Sequence, residues 1–228
     1  MALHTAAKLL QELQPVDDDA LQTHALYPNF YLLATRQKAN VERAIAELTT
    51  FATKSNQQDN PGVVYGLATA HVLLKQTQKA KNHLKRLIKS TWTLEEGEYL
   101  ERCWLMLSDI YIQQSGQNKI DSANDMLRRV LTYNRSCAKA YEYLGYLLEK
   151  DQSYREVKIN KAANHFENAW KLTNQNSVVV GFKLAHSYLK AKQYTDAIDI
   201  SQAVLDKYPD HPRIRKDVLD KAISNLRS

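Results

Sequence analysis

The histidines, cysteines and glycines have the most chemical scope in this 228-residue chain, and their spacing decides how much of it is usable. His4, His24, His71, His83, His165, His186 and His211 include no pair three or four apart. That spacing is what would bring two imidazoles onto one face of a helix to share a metal ion. Cys103 and Cys137 are the only cysteines. They make no zinc knuckle, both fall in helical contexts, and they read as inert thiols of a reduced interior compartment. The six glycines never form Gly-x-Gly, which removes the dinucleotide and phosphate-loop readings. The expectation is a protein that is not an enzyme and carries no cofactor or metal.

Surface chemistry is what remains. Lys75, Lys79, Lys81, Lys85, Arg86 and Lys89 form a basic run with no acid between Asp59 and Glu95. Lys81, Lys85 and Lys89 repeat at i+4 and so line one stripe of a helix. That stripe is either a contact for acidic protein, tubulin tails or phosphoinositide, or a solvated convex face. RNA binding would need aromatic residues interleaved with the bases, and this helix has none. A net charge of +6, from 31 basic and 25 acidic residues, permits acidic partners without demanding nucleic acid.

These groups need elements to position them, and residues 181–209 show which. Leu184, Ala185 and Tyr188 share one helical face, Ala197, Ser201 and Val204 share another, and Pro209 blocks further helix. This is the 34-residue tetratricopeptide pattern, in which small residues let two short helices pack closely. One such hairpin cannot bury its own apolar stripe, so it needs copies as neighbours. The copies are present. Leu67, Ala68 and His71 precede Ala80, Leu84 and Leu87, and the step from Ala68 to Ala80 equals that from Ala185 to Ala197. Trp104, Leu107, Ser108 and Tyr111 precede Ala123, Leu127 and Val130, three residues late. Tyr141, Leu144, Gly145 and Leu148 precede Ala162, Phe166 and Ala169, five residues late. Residues 114–119 and 151–160 hold those insertions. Ala44, Leu48 and Phe51 supply a further second helix, so its alanines fall at 44, 80, 123, 162 and 197.

The expected fold is all-α: a tetratricopeptide-type helical-hairpin solenoid, a right-handed superhelix of about five hairpins. It forms a single array over 1–228, with repeats near 29–54, 61–90, 101–134, 138–174 and 178–209. A capping helix follows over 211–227, started by Asp210, with Ile214, Val218, Ala222 and Leu226 on its apolar face. At the other end, residues 1–14 read as a short amphipathic helix, and the acidic run 17–19 as a cap. Composition agrees: 44% of residues are apolar, and Gly and Pro are few. No apolar run approaches the ~18 residues of a membrane span. Residues 1–14 lack the order of a secretory signal, and the sequon Asn134-Arg135-Ser136 then reads as a chance match.

Concave walls are the default binding surface of such arrays. Helical spacing points Tyr65, Arg102, Asp109, Lys139, Glu142, Tyr146, Phe182 and His186 into the groove, with Thr69 and Leu105. A clamp for a peptide carboxylate would need Lys, Arg and Asn converging there. Arg102 and Lys139 instead face Asp109 and Glu142, and no Asn joins them. Tyr65, Tyr146 and Phe182 either form an aromatic groove for a partner segment or pack against the neighbouring repeat. Trp104 and Trp170 read as structural.

Four segments go beyond packing needs: WLMLSDIYIQ, NRSCAKAYEYLGYLLEKDQSY, GFKLAHSYLKAKQY and HPRIRKDVLDKA, in that order. They resemble the C-terminal end of the tetratricopeptide repeat protein 21 family, a subunit of intraflagellar transport complex A. KNHLKRLIKSTW is similar but weaker and residues 1–60 match poorly, so roughly the last three fifths carries the likeness. The resemblance implies a non-enzymatic scaffold of the cytoplasm and cilium, at the axoneme or ciliary base. It would act in retrograde transport and cargo sorting, with other complex A subunits and ciliary cargo as partners and no membrane insertion. Family members are far longer, so the resemblance also implies a C-terminal fragment, a short isoform or a diverged relative. The alternative is a generic tetratricopeptide adaptor that grips a linear peptide motif in its groove.

Overall fold

The computed structural model describes residues 18–114, 116–150 and 155–227, with side chains left out at 18–25, 117 and 155–158. The amphipathic helix expected over 1–14 lies outside them. All regular structure among the described residues is helical. α1 (Asp18–Ala34) packs on α2 (Lys38–Lys54) and α3 (Pro61–Leu73) on α4 (Thr77–Lys85), and α5 (Gly97–Gln114) and α6 (Gln117–Tyr133) follow in the chain. Then come α7 (Ala138–Lys150) with α8 (Arg155–Leu172), α9 (Val178–Lys190) with α10 (Tyr194–Lys207), a π turn (Arg215–Leu219) and α11 (Asp220–Arg227). Two compact units result, Met1–Ile110 and Tyr111–Ser228.

Local chemistry explains where the helices begin. Asn60 Oδ1 accepts the amide protons of Gly62 and Val63 at 2.9 and 3.3 Å, and Pro61 takes the first helical position of α3. Ser177 Oγ caps α9 through the Val180 amide. Left-handed residues reverse the chain between helices: Arg36, Lys75 and Lys192 have φ of 55°, 59° and 60°. Each is followed by a glutamine and then a second helix. Counted from that turn, Val41, Ala80 and Ala197 are equivalent, so the register expected from Ala44 is three residues late. Both Val41 and Ala44 are buried, because α2 turns an apolar side to its neighbours.

The small residues of the pattern are shut off from solvent. Ala68, Ala80, Ser108, Ala123, Ala185 and Ala197 are 0% exposed. Ser108 and Ser201 stay tolerable there because each hydroxyl donates to a carbonyl one turn back, at 2.7 and 2.6 Å. In the second unit one cluster runs from Ala162, Phe166 and Trp170 through Leu184 and Val204 to Ile214 and Val218. In the first unit Leu48 and Val63 anchor one cluster and Val41 and Ala70 a second.

The insertion near residue 116 is absorbed as helix. Ala80 and Ala197 are the fourth residues of α4 and α10, whereas Ala123 is the seventh of α6, so the extra residues add a turn at its start. Gly116 opens that turn with φ of 122°, a conformation that favours glycine even though a Cβ there would meet nothing within 4 Å.

The C-terminal segment departs from the expected straight capping helix. His211, not Asp210, starts it: Nδ1 accepts the Arg213 and Ile214 amides at 3.3 and 3.1 Å. The π turn that follows is wider than an α turn and shifts the phase of what comes next. Ile214, Val218 and Ala222 are 0% exposed, but Ile223 packs on the core while Leu226 is left 54% exposed.

Candidate functional site

In the first unit α1, α3 and α5 bring three rings together. Phe30 stacks on Tyr99 at 5.8 Å and lies 5.9 Å from Tyr65, with Tyr65 and Tyr99 6.3 Å apart. The Arg102 guanidinium sits 5.6 Å above Tyr65, a cation–π contact at a partly wet site. Burial pushes the Tyr99 phenol up from its ordinary pKa, which keeps that ring neutral. Arg102 pairs with Glu98, one turn back in its own helix, and not with Asp109 as the spacing suggested.

In the second unit α7 and α9 build a longer band. Lys139 bonds Glu142 at 2.9 Å, and its ammonium lies 4.7 Å over the Tyr143 ring. Glu142 is buried rather than turned to the groove. Tyr146 meets Phe166 edge-on at 5.5 Å while Lys183 covers its other side at 5.1 Å. Lys183 is fixed by Glu149 at 2.6 Å. Phe182 stacks with His186 at 6.1 Å and His211 at 5.5 Å, and Arg213 lies 5.4 Å from its ring. Tyr146 and Phe182 thus pack on the core with part of each ring still exposed. What the band offers is flat π faces alternating with cations held by carboxylates, a surface suited to a protein segment.

The basic stripe is broken. Helix α4 ends at Lys85, and Lys89 lies in a run of tight turns from Arg86 onward, so it shares no helical face with Lys81 and Lys85. Arg86 reaches back to Asp59 at 2.7 Å. Both cysteines are buried, and burial pushes the Cys103 thiol up while its S–H donates to the Pro61 carbonyl.

Sequence spacing missed one histidine pair, because its members sit on two helices of one hairpin. His71 on α3 and His83 on α4 stack with ring centroids 5.4 Å apart at 12°. Their lone pairs lie in nearly parallel ring planes, so the two cannot converge on one metal. Burial depresses both pKa values below the usual histidine range, aided at His83 by His71 and Arg86 and at His71 by Lys79. The unfolded chain therefore takes up these protons first, and stability falls as pH drops through about 6.5. His83 Nδ1 is buried without a partner. His83→Phe keeps the stack and removes one of the two titrations, leaving His71. We expect it to lessen the fall in melting temperature of the first unit between pH 7.5 and 5.5 without lowering it at pH 7.5.

Comparison with known proteins gives this geometry its family. Residues 5–223 match the model of the tetratricopeptide repeat protein 21 C-terminal ARM domain. The chain belongs to the tetratricopeptide repeat protein 21 family. It is 47% identical over 227 residues to mouse tetratricopeptide repeat protein 21B, which covers 100% of the chain and 16% of that protein. The human 21B protein is 46% identical with the same coverage, and the Caenorhabditis elegans homologue is 42% identical over 89% of the chain and 15% of its own length. The family likeness therefore spans the whole chain, the first 60 residues included. The chain covers about a sixth of these relatives. Among solved structures, the Cut9 heterotetramer with Hcn1 superposes with TM-score 0.66 at 17% identity over 99% of this chain and 40% of that one. YrrB, a tetratricopeptide protein described as having an unusual peptide-binding site, does so with TM-score 0.57 at 16% identity over 100% and 99%. At such identities these show the fold, a tetratricopeptide-like helical repeat.

Proposed function

We propose that this member of the tetratricopeptide repeat protein 21 family is a non-enzymatic interaction scaffold of intraflagellar transport complex A. It acts in retrograde ciliary transport and cargo sorting from the ciliary base and axoneme, with other complex A subunits and ciliary cargo as partners. The observation that carries this reading is 47% identity to a 21B protein across the whole chain. The hairpins at 29–54, 61–90, 101–134, 138–174 and 178–209 present the binding faces, and 211–227 covers the last of them. Tagged chain expressed in ciliated cells should recover complex A subunits by mass spectrometry. Recovery of none by a folded chain would end the reading.

A second reading is supported by the partly exposed rings of Tyr146 and Phe182 and by the fold shared with a peptide-binding repeat protein. In it the groove grips a linear peptide. Tyr146→Ala and Phe182→Ala should then each weaken the complex about tenfold, with little change between low and moderate salt, read by calorimetry. A steep salt dependence would favour the lysines instead.

A further inference from the structure

A second surface of the C-terminal unit has different chemistry. Arg128, Leu131 and Thr132 near the end of α6, Arg135 in the turn after it, Leu144 on α7 and His165 on α8 line a pocket of about 430 Å³. The aromatic band contributes nothing to it. Arg128 Nε donates to the neutral amide oxygen of Asn124 at 3.3 Å. Among the described residues, neither Arg128 nor Arg135 pairs with a carboxylate. Among the described residues, no acid lines the pocket. Thr132 gives its hydroxyl proton to the Arg128 carbonyl at 3.1 Å, so it leaves the donor role to the other polar groups. His165 Nδ1 is shut off from solvent with no hydrogen-bond partner, and its ring lies 6.1 Å from Tyr141. Burial first, then Arg128, holds this imidazole below its ordinary pKa, so it is neutral while the pocket is empty.

Two uncompensated guanidiniums at one apolar-walled opening make a site for an anion. A carboxylate is satisfied by a single arginine fork, whereas a phosphate dianion has the charge and the oxygens for two. The volume exceeds what a bare ion fills, and Leu131 and Leu144 supply a wall for the carbon atoms that carry it. We propose that this pocket receives the phosphate of a phosphorylated serine or threonine on a partner protein. That assignment rests on the scaffold reading only in taking the phosphate to arrive on a protein. It adds a contact that modification of the partner would switch on.

The test uses the whole 228-residue chain and capped phosphothreonine (N-acetyl, N′-methylamide). Capped glutamate, capped threonine and inorganic phosphate serve as controls at constant ionic strength and pH 7.4. Binding is followed through the His165 imidazole resonances. We expect a saturable shift with phosphothreonine, at least about tenfold tighter than with any control. Arg128→Ala and Arg135→Ala should each weaken it about tenfold. Arg135→Lys, which keeps the charge and loses the fork, should fall between. Arg135 is exposed, so its variants keep the native fold by circular dichroism. The proposal is overturned by a silent His165, by glutamate or inorganic phosphate binding as tightly, or by Arg135→Ala binding unchanged. Because the readout needs no partner protein, such a failure leaves recovery of complex A subunits as a separate result.

Discussion

Trp104→Ala is expected to lower the stability of the N-terminal unit by about 3–5 kcal/mol. Trp104 is 1% exposed and fills the space between α5 and the end of the preceding hairpin. Its indole Nε1–H also donates to the Leu87 carbonyl at 3.1 Å. Leu87 lies in the run of tight turns after α4, where its carbonyl also accepts the Ser90 amide at 3.2 Å, so the indole adds a second bond to that turn. The alanine variant loses the packing and this bond, leaving the Leu87 carbonyl with the Ser90 amide as its remaining donor. Trp104→Phe separates the two effects: it keeps most of the apolar area and loses the bond, at about 1–3 kcal/mol. Urea denaturation followed by tryptophan-independent circular dichroism measures both. A Trp104→Ala loss below that of Trp104→Phe would show that the ring is not a core anchor.

Phe166→Ala should cost about as much in the C-terminal unit, and its relation to Gly145 is the sharper test. Phe166 is 0% exposed on α8, and a Cβ at Gly145 of α7 would fall 2.6 Å from its ring. The missing side chain is what lets the two helices approach this closely. Gly145→Ala alone should therefore destabilise by about 1–3 kcal/mol through overpacking, against the usual gain of alanine in a helix. In a Phe166→Leu background the added methyl has room, and its cost should shrink by about 1 kcal/mol or more. Additive effects in this double-mutant cycle would mean that ring and glycine do not share the crossing. The same ring supports Tyr146 edge-on, so Phe166→Ala should also loosen the aromatic band.

Much of the fold was legible because close helix packing demands small residues at fixed intervals, and alanines at 80, 123, 162 and 197 meet that demand in the structure. The departures arise where local chemistry outweighs the period. Left-handed Arg36 sets the register of α2, and Val41 takes the place assigned to Ala44. Tight turns after Lys85 carry Lys89 off the helix. The π turn carries Leu226 to the surface. Parts of the candidate surface were legible too, since Tyr65 and Arg102, or Tyr146 and Phe182, follow from helical spacing. Their partners did not. Phe30, Tyr99 and Lys183 arrive from other helices and His211 from the turn after α10, and the stacked His71 and His83 and the pocket around Arg128 and His165 likewise join separate elements. Spacing within one helix carries no record of such meetings.

We propose that this chain works by presenting its folded surface to partner proteins. The most direct measurement compares recovery of complex A subunits from ciliated cells by the wild-type chain and by a Tyr146→Ala/Phe182→Ala variant of matched circular dichroism. Wild type should recover them, and the variant at least several-fold less. Equal recovery by both would place binding away from the aromatic band, and recovery by neither would contradict the scaffold itself.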